Sequence, residues 1–361
     1  MNREILVFLV AGARPNFMKL APVSRSLSLE NINHKIIHTG QHYDYNLSKV
    51  FFEDLQIPEP DFFLEVGSGS HAIQTAKIMT SFENLCIEEK PDLVMVFGDV
   101  NSTVACALVS SKLGIKVAHI EAGLRSWDRE MPEEINRVVT DHLSDIHFTT
   151  SELAVKNLLN EGISKEKIHF VGNVMIDTLV WQLDKINGSK ILDKLSLEKG
   201  NYEVLTLHRP SNVDVESKLI DILDAFNNDN FNTIVFPIHP RTKKSISNFN
   251  LDRMIDNDKF IIIDPLGYND FISLIKNCKS VWTDSGGIQE ETSYLGVKCI
   301  TLRENTERPE TVELGTNKLI SASKESIIFA SNNHTNTKDI EIPLWDGKAA
   351  SRISDIIKKI Y

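Results

Sequence analysis

A chain of 361 residues is longer than a single hydrophobic core usually grows, so two domains of ordinary size are expected. With 42% hydrophobic and 25% charged residues it has the make-up of a soluble globular enzyme, which excludes a disordered or fibrous chain. The formal charge of -11 and the pI near 5.5 argue against nucleic acid or a lipid surface as a general partner, because both are held by an excess of Lys and Arg, so any anionic ligand must meet a local basic pocket.

The opening MNREILVFLVAGARP is apolar for only a few residues before a glycine turn and an arginine. It predicts a first strand and no secretory leader. No apolar run approaches the ~20 residues of a membrane span, so a soluble, cytoplasmic protein is expected. Cys86, Cys106, Cys278 and Cys299 are far apart in apolar or helical settings, without a CxxC pair, and read as reduced core thiols.

Strand-like runs recur at 5–10, 35–38, 93–97, 117–120 and 168–171, and again at 204–207, 234–237, 260–263, 281–283 and 299–302, with helical stretches between them. Continuous apolar strands alternating with helices predict parallel sheets buried on both faces, hence an α/β chain of two Rossmann-like, doubly wound domains. The polar stretch 186–202 reads as the bridge between them. In such sheets ligands bind beyond the carboxyl ends of the strands, so functional residues should stand just after a strand.

The first strand runs into Gly12, Arg14 and Lys19; one glycine is not GxGxxG, which speaks against a nicotinamide cofactor, and two cations at a strand exit suit a diphosphate as well as they suit capping and solvation. Asp99 follows DLVMVF and Gly98, where it could equally cap a helix, and Glu121 follows KVAHI. A Glu after that apolar run should be partly desolvated, which raises its pKa towards the range useful for proton transfer. MPEEINR then starts a helix, with Pro132 near its first position and Glu133 and Glu134 in its first turn as ordinary capping chemistry, and Arg137 one turn on.

In the second half, His208 and His239 each close a strand-like run, which favours a site over two structural histidines. By type alone Phe271 reads as core and Arg308 as a loop residue. VWTDSGGIQEE reads as strand, tight turn and helix start: Ser285, Gly286 and Gly287 leave backbone N–H groups and the positive end of a helix dipole open to an anion, while Ser-capping of a helix explains the same string blandly. No HExxH, CxxC pair or acidic Ca²⁺ loop is present, so no metal is expected.

Taken together, GARPNFMKLAP, FGDVNST, HIEAGLRS, MPEEINR, LHRPSNVD, TDSGGIQEE and ENTERPE resemble, in order, the motifs of the non-hydrolysing UDP-N-acetylglucosamine 2-epimerases, from about residue 5 to the C-terminal helix. The resemblance implies a glycosyltransferase-B-like fold, two Rossmann-like domains facing a cleft: residues 1–172 with a returning helix over 348–361, and residues 173–347 as the UDP-binding domain. It implies a cytoplasmic homodimer without a cofactor that makes UDP-N-acetylmannosamine by eliminating UDP to 2-acetamidoglucal and adding it back. By the same resemblance Asp99, Glu121, Glu133 and His208 are the catalytic set. Arg14, Lys19, Arg137, Ser285, Gly286 and Gly287 belong to the substrate site, Glu291 to the ribose, Phe271 to the uracil, and Arg308 and His239 to the nucleotide and sugar pockets.

The chain departs from the family at Leu266, where some members carry Gln near the uracil, and after Gln41 and His42, where the bacterial allosteric pattern is not continued. Epimerisation of a UDP-diacetamido-uronic acid sugar, a hydrolysing epimerase, a glycosyltransferase of the same fold and a UDP-sugar sensor stay open as alternatives.

Overall fold

The computed structural model describes residues 5–41, 55–333 and 341–361. The chain divides into two compact units, residues 1–181 with 343–361, and residues 182–342. The division falls inside the helix Val174–Asn187, later than the expected boundary at 172. The stretch 186–202 is therefore not the crossing point: it ends that helix and carries the short helix Ile191–Lys194.

In the first unit seven strands are described: β1 (Val7–Ala11), β2 (His34–His38), β3 (Phe62–Phe63), β4 (Leu93–Phe97), β5 (Lys116–Ala122), β6 (Ile146–Thr149) and β7 (Ile168–Phe170). Their order is β3-β2-β1-β4-β5-β6-β7, every pair parallel. The chain builds outward from β1 on one side, then returns to build outward from β4 on the other. The switch point thus lies between β1 and β4, where a crevice opens beyond the strands' carboxyl ends.

The second unit repeats the plan with β8 (Glu203–Thr206), β9 (Ile234–Pro237), β10 (Phe260–Ile263), β11 (Ser280–Thr283), β12 (Cys299–Leu302) and β13 (Asn317–Ile320), in the order β10-β9-β8-β11-β12-β13 and again all parallel. Its switch point lies between β8 and β11. Strands β3, β6 and β13 are not among the strand-like runs of the sequence, because β3 is two residues long, β6 is broken by His147 and β13 begins on Asn317 and Lys318.

Both sheets are covered on two faces, which explains the continuous apolar strands: β1 and β4 are buried at every position. In the first unit Phe8, Val94 and Val96 pack with Ile78 and Phe82 of the helix His71–Glu89. In the second, the fully buried Trp282 stands edge-on to Phe226 and Phe231, with ring centroids 5.4 and 5.3 Å away. The C-terminal helix Ala349–Ile360 belongs to the first unit. Asp177 receives its free amides at Ala349 and Ala350 (3.0 and 2.6 Å), and Ser26 meets Ser354 at 2.7 Å. Among the described residues no helix is long and apolar enough to cross a membrane.

Candidate functional site

The first unit gathers its charged residues at the β1/β4 switch point. The helix Arg14–Leu29 follows β1 directly; Arg14 is its first residue, with a side chain outside what the structure describes, and Lys19 lies one turn in. The Lys19 ammonium is buried against the Glu121 carboxylate. Two charges out of water hold only when paired closely, so each makes the other's burial tolerable.

Glu121 is not beyond its strand but within β5, where the pairing with β6 slips between Ile120 and Ala122. Its φ is +75°, a left-handed value that a side chain rarely adopts, so the bulge turns this carboxylate at a cost in backbone strain. Gly98, at the end of β4, faces the pair: a Cβ there would sit 3.1 Å from Lys19 Nζ and 3.5 Å from Glu121 Oε2.

Asp99 does not cap the helix Asn101–Lys112, whose N-cap is Val100 without a side-chain bond. Instead its Oδ2 accepts from Arg137 Nε at 2.9 Å and Nη2 at 2.7 Å. Arg137 is itself buried and pairs at 2.5 Å with Glu134, which also accepts the amides of Ser126 and Trp127 at 2.9 Å each. Glu134 is thus more than an acid in the first turn of its own helix: it ties the loop before Pro132–Leu143 to Arg137. Glu133, next to it, is half-buried and enters none of these pairings.

Under this rim lies a network that the sequence did not single out. The His119 ring bridges Asp141 (2.6 Å) and the Gly98 carbonyl (2.8 Å), Asp141 also accepts the Gly123 amide (3.1 Å) and Arg125 (2.7 Å), and Arg125 forks onto Glu161 at 2.7 and 2.6 Å. Burial alone would raise the Asp141 pKa, but His119 and Arg125 hold it below the usual carboxylate range. These bonds fix the backbone on both sides of Glu121 and behind Asp99.

In the second unit the switch point brings together the segments after β8 and β11. His208 Nδ1 lies 2.8 Å from Asp284, whose oxygens also receive the amides of His208 (3.1 Å) and Arg209 (2.9 Å) and Asn212 Nδ2 (3.3 Å). Asp284 is fully buried; the contacts from His208 and the amides outweigh burial and lower its pKa. Its signature in the sequence is close to the one that marked Asp99: a single acid closing a strand, here separated by Ser285 from a glycine pair. His239 caps the helix Pro240–Asn248 by accepting the Arg241 amide at Nδ1 (3.2 Å), and its ring centroid lies 5.8 Å from that of His208.

The helix Gly286–Leu295 starts at Ser285, whose side chain makes no capping bond, so the bland Ser-cap reading does not apply. A Cβ on Gly287 would meet nothing within 4 Å, whereas one on Gly286 would come within 2.5 Å of Glu307 Oε1 and 2.8 Å of Arg308 Nη1. One glycine is needed for packing and the other leaves the helix end bare, as an anion site requires. Arg308 is buried, not a surface loop residue, and pairs with Glu290 (2.8 Å) and Glu307 (2.5 Å). Glu291 is buried as well, its pKa pushed up to about 8 by burial, with Glu290 adding to the rise and the Tyr268 hydroxyl partly offsetting it. Phe271 is half-buried on the helix Tyr268–Asn277, as is Leu266 just before it.

Gln41 is buried and accepts from the Ser102 amide and hydroxyl (3.0 and 2.7 Å), while His42 and the rest of 42–54 lie outside the described residues. Among the described residues no group of three or more His, Cys, Asp or Glu could hold a metal ion.

The family model for UDP-N-acetylglucosamine 2-epimerase matches residues 25–358. A UDP-N-acetylglucosamine 2-epimerase of Methanocaldococcus jannaschii is 46% identical over 361 residues, covering 97% of this chain and 98% of its own. The crystal structure of that organism's UDP-GlcNAc 2-epimerase, in complex with UDP-GlcNAc and UDP, superposes with a TM-score of 0.91 at 45% identity, covering 98% of this chain and all of its own. A UDP-2,3-diacetamido-2,3-dideoxy-D-glucuronate 2-epimerase of Pseudomonas aeruginosa is 38% identical, covering 98% of this chain and 99% of its own. Matched over nearly its whole length in sequence and in fold, the chain belongs to the UDP-N-acetylglucosamine 2-epimerase family.

Proposed function

We propose that the protein interconverts UDP-N-acetylglucosamine and UDP-N-acetylmannosamine. The observation that carries this reading is the set of carboxylates at the first switch point, Glu121 buried against Lys19 and Asp99 held by Arg137, in a chain whose second unit offers an anion cradle at Ser285, Gly286 and Gly287.

The C2 proton of the sugar has no carbonyl beside it, so simple abstraction is slow. Elimination removes that barrier: a carboxylate takes the C2 proton, the C2–H electrons form the C1=C2 bond of 2-acetamidoglucal, and the C1–O electrons leave with the diphosphate. The reverse addition returns a proton to C2 from the opposite face, and a diphosphate oxygen rebonds to C1. Proton carriers are needed on both faces, and Asp99, Glu121 and Glu133 are assigned to them. The negative charge grows on the diphosphate, which the open helix end at Gly287, Arg14, Lys19 and His208 are assigned to stabilise. Glu291 is assigned to the ribose, Phe271 to the uracil, and Arg137, His239 and Arg308 to holding the sugar and nucleotide. On the family resemblance the enzyme is a cytoplasmic homodimer of two domains, needing no cofactor, a state that light scattering on the purified protein checks.

A second substrate, a UDP-diacetamido-uronic acid sugar, is favoured by the P. aeruginosa relative. The deciding experiment incubates the protein in D₂O with either UDP-sugar and follows the products by NMR. Deuterium at C2 with UDP still attached, arising faster from UDP-N-acetylglucosamine, is the expected result. Faster exchange in the diacetamido sugar selects the second substrate, release of free sugar and UDP a hydrolysing enzyme, and absence of C2 exchange in both refutes epimerisation.

A further inference from the structure

We infer that Asp284 is a positioning residue that holds His208 with a proton on Nδ1 and presents Nε2 alone to the diphosphate of a bound UDP-sugar. The inference rests on the function proposed above.

The two oxygens of Asp284 receive the amides of His208 and Arg209, the Asn212 side chain and His208 Nδ1, all from N–H groups. An ionised carboxylate only accepts, so the ring nitrogen 2.8 Å away must be the donor and carries the hydrogen. Backbone and ring of the same residue are tied to the same acid, which leaves the imidazole little freedom about either side-chain torsion. His208 is nevertheless 43% exposed at its side chain, so it is the other nitrogen that a ligand can reach.

Among the described residues, the charged and titratable neighbours recorded for the ring are Asp284, His239, Arg241 and Arg209. His239 is the ring neighbour at 5.8 Å, with Nδ1 occupied by the Arg241 amide, and its pKa is lowered by burial and then by His208. Arg241 turns to Asp214 at 2.5 and 3.0 Å, and Arg209 adjoins His208 in the chain. Asp284 therefore supplies the negative charge behind the ring. A phosphate oxygen only accepts, so the ring meets it as an imidazolium, with Nδ1–H on Asp284 and Nε2–H on the phosphate; an anion on each side favours that form, and the hydrogen bond is charge-assisted. As the sugar's C1–O bond breaks, charge accumulates on that oxygen, so the bond tightens in the transition state.

Asp284→Asn keeps an oxygen for the backbone amides but turns an NH₂ donor to Nδ1. The ring must then accept at Nδ1 and carry its proton on Nε2, the tautomer inversion known from Ser-His-Asp triads. Histidine ¹⁵N spectra of the wild-type protein, assigned with His208→Ala, should show the hydrogen on Nδ1, and those of Asp284→Asn should show it on Nε2. Turnover of UDP-N-acetylglucosamine should fall about 10²-fold in Asp284→Asn, with KM moving much less. The Kd for UDP should rise about tenfold in the wild-type background and stay unchanged when the substitution is made in His208→Ala.

A wild-type His208 with its hydrogen on Nε2 overturns the assignment, and does so without any variant having to fold. So does an equal loss of UDP affinity with and without His208, which would make Asp284 a backbone anchor alone. A wild-type protein that binds no UDP defeats the proposed function instead, and leaves the ring's tautomer to be read as before.

Discussion

Lys19 and Glu121 stand 102 positions apart in the chain and meet as a buried ion pair at the carboxyl end of the first sheet. Their dependence on each other separates stability from chemistry. Lys19→Met should destabilise the protein by about 3–5 kcal/mol, because it leaves a buried carboxylate uncompensated. Adding Glu121→Gln should recover most of that loss, as urea unfolding of the two single variants and the double variant would measure. Glu121→Gln alone should slow C2 deuterium exchange about 10³-fold while the Kd for UDP stays within about threefold. Loss of UDP binding in that variant would remove Glu121 from the proton-transfer role.

The two glycines at the start of the helix Gly286–Leu295 should respond in opposite ways to the same change. Gly286→Ala forces a methyl within 2.5 Å of Glu307 Oε1 and 2.8 Å of Arg308 Nη1, two side chains already paired to each other, and should cost about 1–3 kcal/mol of stability. Gly287→Ala meets no atom within 4 Å and should unfold like the wild type. Its methyl would instead stand over the open amides, so calorimetry should find UDP binding weakened about tenfold or more.

Much of this arrangement was legible in the chain. Continuous apolar strands predict parallel sheets, and strand exits point to Asp99 and His208, which stand just past β4 and β8, while Glu121 stays within β5 and is turned by its bulge; in a doubly wound sheet the carboxyl ends at the switch point are where backbone turns away and side chains converge. What could not be read was partnership. Asp99 looked as much like a helix cap as a site residue until Arg137, 38 positions on, took its carboxylate. Asp284 resembles an ordinary strand-end acid, and only the fold shows that it faces His208, 76 positions earlier. His119 and Arg125 fall within the motif HIEAGLRS, but nothing in a sequence records that both meet Asp141 or which buried donor meets which acceptor across a sheet. Strands β3, β6 and β13 were missed for a simpler reason, brevity or a polar residue inside the run.

Arg137 holds Asp99 through Nε and Nη2 and Glu134 through Nη1, a three-atom grip that a single ammonium cannot copy. Arg137→Lys should therefore fold but lose about 10–100-fold in kcat/KM for the UDP-sugar, through misplacement of Asp99 and of the Ser126–Trp127 loop that Glu134 holds. Steady-state kinetics of Arg137→Lys beside Arg137→Ala test this: equal activity in wild type and Arg137→Lys would reduce the residue to a point charge.

Glu310 gives the stability a pH dependence whose sign is fixed. It is buried, and among the described residues no side chain hydrogen-bonds its carboxyl oxygens; burial first, with Glu290 and Glu307 adding, pushes its pKa up to about 7 against the pull of its own backbone amide and of Arg308. An unfolded Glu releases its proton near pH 4.3. Between about pH 4.3 and 7 the folded protein therefore holds a proton that the unfolded chain has given up, and stability falls as pH rises through that window. The loss is on the order of 4 kcal/mol at about 1.4 kcal/mol per pH unit, and is complete above pH 7. Glu291, raised to about 8, acts in the same direction over a wider window. Glu310→Gln removes the titrating group, so it should be more stable than the wild type at pH 8 by a few kcal/mol and should converge with it towards pH 4. Urea midpoints of the two proteins at pH 4.5, 6 and 8 measure the difference, and parallel pH profiles would mean that Glu310 is ionised in the folded state with partners of its own.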